Sequence, residues 1–373
     1  MKKIVLLVSI TAGSVCALVA QPARFLPGYL AVLRAGDGVL DLRLKQSPVF
    51  IDQFTPGPFT TSASFSLTIP TNGPDGLFFN GHAATEGNLT LSADRRLLAF
   101  AGYGGVTLLQ SKGTPSLLDI GRGFCTVDAA GSIHTKIFRS HIGLEKMNPR
   151  GVVTDGTNGF WGCGNAFGTF YYNQASSNPP IVFRAIPNSR ALRIVGSVLY
   201  TTLNGADATA SDLSPGIFLF EDGSGNTTPL PVSQNSSLKL FIPARAPYTK
   251  TVGFDLKPDG SVAYMSDTMA GVQKYVRTNG VWQFAYNFAI PQTIPGSENN
   301  ATGCFGLVVD FGRPAPVIYA TTTEGYGGCV NSNRVVRIVD TNATAVVTTI
   351  AQAPSARIAY RGIAFTPESP NRP

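Results

Sequence analysis

Residues 252–288, VGFDLKPDGSVAYMSDTMAGVQKYVRTNGVWQFAYNF, read as four short strands separated by turns, and this grammar recurs along the chain. The strands run Val252 to Leu256, Val262 to Met265, Val272 to Val276 and Trp282 to Phe288, with Pro258-Asp259-Gly260 and Asn279-Gly280 at the turns. Aromatic and β-branched runs bounded by Asp-Gly and Asn-Gly predict antiparallel hairpins. The same order returns in residues 306–351, in 87–105 with 124–138, in 151–173 with 181–186, and in 192–205 with 216–222. Units therefore begin near residues 87, 151, 191, 251 and 304. One such sheet cannot bury its faces alone, so successive copies must stack on one another.

The chain ends complete the count. YRGIAFTP (360–367) is a lone first strand with nothing after it, whereas YLAVLRAG, PVFIDQF and SFSLTIP near the N-terminus lack a first strand before them. Joined, they make one further four-stranded sheet, so the expected fold is an all-β, six-bladed β-propeller closed by pairing of the N- and C-terminal strands. Such radial repetition leaves only short, protected sheet edges. Seven blades is the alternative, because the unit spacings are uneven and residues 173–250 are the hardest to parse.

Lys2 and Lys3, the apolar run Ile4 to Val8 and the small residues up to Ala20 have the layout of a signal peptide, with cleavage after Ala17 or Ala20. Ser9, Thr11, Gly13 and Ser14 interrupt the run too often for a membrane span. The expected organisation is a signal peptide over 1–20 and one propeller domain over 21–373, in a secreted protein, periplasmic in a Gram-negative cell. Without the two leading lysines, 27 basic residues face 22 acidic ones. That mild balance, with no basic stripe, argues against nucleic acid as a partner. A monomer is expected.

Cys125, Cys163, Cys304 and Cys329 remain after the leader, an even number in an oxidising compartment. Three connectivities are possible. Cys304–Cys329 with Cys125–Cys163 is the expected one, because each pair is closest in sequence. The spacing excludes a CxxC metal or redox site. His82, His134 and His141 show no metal-binding spacing, and the chain has no G-x-S-x-G elbow, P-loop or dinucleotide fingerprint.

In a propeller the loop entering each innermost strand and the loop after the second strand share one face. There the second strands end at Asp37, Tyr103, Asn165, Asn204, Asp267 and Glu324, below the anchors Leu33, Phe100, Trp161, Tyr200, Tyr264 and Tyr319. Glu86 enters a first strand on the same side. The candidate ligand-binding set is Glu86, Asn165, Asn204, Asp267 and Glu324, with Glu86 and Asp267 as candidate metal ligands. Carboxylates and amides around one mouth are what calcium or a sugar requires. Taken singly, each is better explained as a turn residue that satisfies nearby backbone groups, and only their convergence points to a site.

Two stretches resemble a family. EGNLTLSADRRLLAF (86–100) is similar to the E-G-P-x-W opening of the gluconolactonase and regucalcin-like six-bladed propellers. TVGFDLKPDGSVAYMSDT (251–268) resembles their S-N-G-x-x-x-S-P-D-G-x-x-x-Y-x-x-D-S segment. The resemblance implies Glu86 as a first metal carboxylate and Asp267 as ligand and base. Val252 stands where that motif has its Asn, Asn88 where it has Pro and Thr90 where it has Trp. Over most of the chain the sequence resembles uncharacterised secreted propeller proteins, mainly bacterial, which bring no activity with them. The expected function is a binding or scaffold propeller for a polysaccharide or an extracellular protein. The alternative is a calcium-dependent hydrolase or lyase acting on a sugar lactone or polysaccharide.

Overall fold

A computed structural model describes residues 25–44, 46–59, 61–104, 120–138, 148–165, 168–176, 181–183, 188–204, 213–222, 224–234, 236–293, 303–326 and 329–369. The signal-peptide reading falls on residues 1–20, outside the described residues. Within them, no helix is long and apolar enough to cross a membrane.

Six sheets form the six blades of a propeller, and the seven-bladed alternative is overturned. Blade 1 is the shared one: Ala359–Phe365 supplies its inner strand, followed outward by Leu30–Ala35, Val49–Phe54 and Phe65–Thr68. Leu30 pairs with Phe365 and Val32 with Ile363, so the two ends of the chain close the ring. Blades 3, 4, 5 and 6 begin with inner strands Pro149–Thr154, Leu192–Val195, Thr251–Leu256 and Cys304–Asp310. Each of these continues through three further antiparallel strands. In blade 4 the outermost is Ser237–Pro243, in the stretch hardest to parse from sequence.

Blade 2 departs from the repeat. Its inner strand is only Thr90–Leu91, paired to the start of Leu97–Gly104. The segment Leu77–Asn80 takes the other end of that strand, opposite Tyr103 and Gly104, and itself pairs with Gln46–Ser47. The sequence repeat begins at residue 87 and gives no sign of this extra edge.

Side-chain alternation sends successive residues of a strand to opposite faces of its sheet. Each pair of neighbouring blades consequently shares one hydrophobic core. Trp161 and Val153 of blade 3 meet Leu199 and Phe218 of blade 4, and Tyr264 of blade 5 meets Ile318 and Ile338 of blade 6. Blade 6 in turn packs Tyr319 and Val335 against Val32, Tyr360 and Ile363 of the closing blade. Fully burying an aliphatic side chain such as Ile363 is worth roughly 1.5–3 kcal/mol, so an absent closing strand would open two cores at once. Phe100 differs from the other aromatic anchors: it faces back into the core shared with blade 1, and Ala99 takes the forward-facing position.

A ring of small residues lets the inner strands converge. Gly151, Ala191, Gly253, Gly306 and Gly362 occupy one register position, and Asn88 fills it in blade 2. A Cβ on Gly362 would sit 2.1 Å from the Leu89 nitrogen and 2.5 Å from the Gly87 carbonyl oxygen. Opposite this ring, second-strand hydroxyls stitch neighbouring blades together. Ser266 accepts from the Gly253 N–H (2.7 Å) and donates to the Phe305 carbonyl of the next blade (2.8 Å). Thr321 likewise accepts from the Gly306 N–H (2.9 Å) and donates to the Arg361 carbonyl. Thr202 donates to the Val252 carbonyl (2.6 Å). The aromatic anchors add a second stitch further out: Trp161 Nε1 donates to the Pro231 carbonyl (2.7 Å), and Tyr319 to that of Pro56 (3.1 Å).

The disulfide expectation is corrected. Cys125, Cys163 and Cys304 are free, buried thiols. Cys125 faces from blade 2 into blade 1, whereas Cys163 faces from blade 3 into blade 4, so two sheets stand between them. Cys304 packs between blades 5 and 6. The backbone of Cys329 lies in the short strand Cys329–Val330, and its side chain is outside the described residues. Burial pushes the Cys125 and Cys163 thiols up to about 12, which holds them as inert protonated groups.

Candidate functional site

The antiparallel order puts the entering loops and the ends of the second strands on one upper rim, where the sequence placed Glu86, Asn165, Asn204, Asp267 and Glu324. Glu86, Asn165, Asp267 and Glu324 are drawn into local bonds. Asn165 Oδ1 accepts from the Asn148 N–H (2.6 Å), and Asp267 Oδ2 accepts from the Lys250 N–H (2.8 Å). In both blades the bond ties the end of the second strand to the entry of the first. Asp267 Oδ1 also accepts from the Met269 N–H (2.8 Å). Glu324 is buried and holds Arg334 through its Nε (2.8 Å), while Thr322 donates to its second oxygen. Arg334 in turn caps the Pro291 carbonyl (2.6 Å). Asn204 is buried at the same level.

Glu86 is 1% exposed. Its Oε1 accepts from the Tyr103 hydroxyl (2.7 Å) and its Oε2 from the Asn80 N–H (3.1 Å). Burial outweighs these bonds and the nearby Arg361 and Arg150, and pushes its carboxyl from 4.5 up to about 7. Arg361 of the closing strand holds the carbonyls of Gly81 (2.8 Å) and Ala83, so the loop leading to Glu86 is clamped by the last strand of the chain.

Calcium fits this rim poorly. A hard cation needs ionised, converging oxygens, yet desolvation raises both Glu86 and Asp267, and Asp267 is fixed by three backbone N–H groups. Among the described residues no group of three or more His, Cys, Asp or Glu side chains converges as a metal site. Val252, at the position where the resembling motif has Asn, is a buried core residue.

Below the rim the channel narrows to a space of about 10 Å³ between Asn88, Ala191, Gly253, Gly306 and Ile363, room for about one water. Beyond this constriction it opens into a cavity of about 400 Å³ at the opposite, lower mouth. The ends of the inner strands of five blades and the turns after them build its wall, with Arg95, Arg193, Asp255, Asp310, Phe311 and Phe365 among the lining side chains. Arg193 lines both the constriction and the cavity, so its guanidinium forms the floor between them. It reaches across to blade 6, where Nη2 donates to the Leu307 carbonyl (2.9 Å), and stands 3.5 Å from Asp255 Oδ1. Asp255 is held by the Leu256 N–H (3.0 Å) and the Val309 N–H (2.9 Å), with its carboxyl raised by burial.

Sequence reasoning missed this second mouth. The signal was present: four of the six inner strands carry Thr90, Val153, Val308 or Ala364 at the register where blades 4 and 5 carry Arg193 and Asp255. A facing pair of opposite charges at a level otherwise neutral marks the channel interior.

No protein-family model matches the chain, and no curated protein matches it. Among solved structures, one titled as a nidogen/laminin complex superposes with a TM-score of 0.50 at 11% identity, covering 90% of this chain and 97% of that one. A putative 6-phosphogluconolactonase from Bacteroides uniformis matches with a TM-score of 0.44 at 12% identity, covering 87% of this chain and 83% of that one. A second, from Bacteroides fragilis, gives 0.46 at 12%, covering 87% and 82%. Likeness at such identity extends to the fold alone.

Proposed function

We propose that the protein is an exported binding propeller, which holds a ligand at its lower mouth without turning it over. The observation that carries this reading is the cavity of about 400 Å³ floored by Arg193 and Asp255. It lies within the size range of small-molecule sites, and its lining mixes apolar side chains with several convergent polar groups. The carboxylates that a lactonase-type reaction would need are engaged elsewhere: Glu86 with Tyr103 and Asn80, Asp267 with Lys250 and Met269. Carboxylates held in this way brace the rim.

A chelator experiment tests the reading. The purified protein should melt at the same temperature with calcium and with EDTA, and should give no calcium-dependent hydrolysis of gluconolactone. A melting temperature lowered by chelator, or lactone turnover abolished in Glu86→Gln, would replace binding with metal-dependent catalysis.

A further inference from the structure

We propose that the lower cavity is a saccharide site, which takes the terminal, uncharged sugar residue of a glycan with Arg193 and Asp255 on its hydroxyls. This inference rests on the binding reading above and adds the chemical class of the ligand.

Charge balance in the lining excludes an ionic ligand as the best fit. Arg193 faces Asp255 at 3.5 Å, Arg95 pairs with Glu368 at 2.7 Å, and Asp310 pairs with Arg313 at 2.8 Å. An incoming anion or cation would lose its water in exchange for a surface already neutralised, and desolvating an uncompensated charge is costly. A neutral ligand that both donates and accepts hydrogen bonds suffers no such loss.

The floor offers both functions side by side. A guanidinium carries five N–H donors and a carboxylate about four acceptor positions. Arg193 spends one donor on the Leu307 carbonyl, and Asp255 accepts one N–H at each oxygen. The remaining donors and lone pairs belong to neighbouring groups on adjacent blades, an arrangement matched to two adjacent hydroxyls. Nearer the mouth Phe311 and Phe365 are half-buried, packed on Tyr264 and Tyr319 with centroids 6.0 Å away, and line the cavity wall. Such walls accept the C–H face of a pyranose as polar groups below take its hydroxyls. Because the constriction above admits about one water, the cavity is closed at its inner end among the described residues. Only the end of a chain can enter it.

Calorimetric titration with the methyl glycosides of glucose, galactose and mannose, and with glucuronate as a charged arm, tests the proposal. At least one neutral glycoside should bind with a dissociation constant in the millimolar range, and more tightly than glucuronate. Arg193→Met should weaken it at least tenfold. Ala93→Trp, an exposed position on the cavity rim, should do the same while leaving the floor intact, which guards against a misfolded Arg193 variant. Val346→Ser, at an exposed position outside the cavity lining, should change nothing. Binding that survives Ala93→Trp would place the site elsewhere, and binding by glucuronate alone would overturn the neutral class. No heat with any probe would overturn the saccharide assignment itself, while the chelator and lactone results above would still decide between binding and catalysis.

Discussion

Replacing Glu86 by Gln should remove a pH dependence of stability that the upper rim builds in. The folded-state carboxyl is pushed up to about 7 from an ordinary value of 4.5, with burial as the largest cause. Between those values the folded protein holds a proton that the unfolded chain has released, so stability falls as pH rises. The contribution is fully present below about pH 4.5 and is lost as pH climbs through about 7. At 1.36 kcal/mol per unit, a shift of this size is worth about 3 kcal/mol. Asp255 and Asp267 are also raised by burial and add a slope of the same sign, starting at lower pH. Subtracting the Glu86→Gln curve from the wild-type curve cancels them. Gln keeps an acceptor for the Tyr103 hydroxyl and loses the one that receives the Asn80 N–H, a pH-independent cost of about 1 kcal/mol. Urea denaturation at pH 5, 6, 7 and 8 supplies the measurement. The wild type should lose about 2.5 kcal/mol relative to the variant over that range. Parallel curves would refute the argument and would mean that water reaches Glu86 in the folded state.

Three further outcomes are expected. Gly362→Ala forces a Cβ against the backbone of the strand entering blade 2, and should destabilise by roughly 1–3 kcal/mol in a denaturant melt; a neutral effect would contradict the convergence of the inner strands. Thr321→Val removes the hydroxyl bridging the Gly306 N–H and the Arg361 carbonyl, which should cost about 1–3 kcal/mol, whereas Thr321→Ser should restore most of it. Glu324→Ala leaves Arg334 buried without its carboxylate and should cost roughly 3–5 kcal/mol; a melt unchanged from wild type would show that solvent, not Glu324, balances that guanidinium.

The number of blades and the way they close were legible in the sequence because both are periodic. Strand, turn and strand repeat with local signals, and YRGIAF at 360–365 is incomplete without a partner sheet. The aromatic anchors were legible for the same reason. Trp161, Tyr264 and Tyr319 each sit at one register of a second strand, and each fills the core toward the next blade.

What each polar residue does was decided only in three dimensions. Asn165 and Asp267 look like ligands in a list of strand ends, yet the nearest donors are the backbone N–H groups of Asn148 and Lys250, 17 positions earlier in each case. Hydrogen-bond capacity spent on the chain is unavailable to a ligand, and no residue type discloses how it is spent. The cysteines show the same limit: sequence proximity of Cys125 and Cys163 says nothing about which face of its sheet each one occupies, and alternation sends them apart. Arg193 and Asp255 lie 62 positions apart in sequence order and belong to neighbouring blades, so only the packing of one blade on the next brings them to one floor. A repeat specifies its copies through local propensity and period; a site formed where the copies differ depends on the distances that packing sets between them.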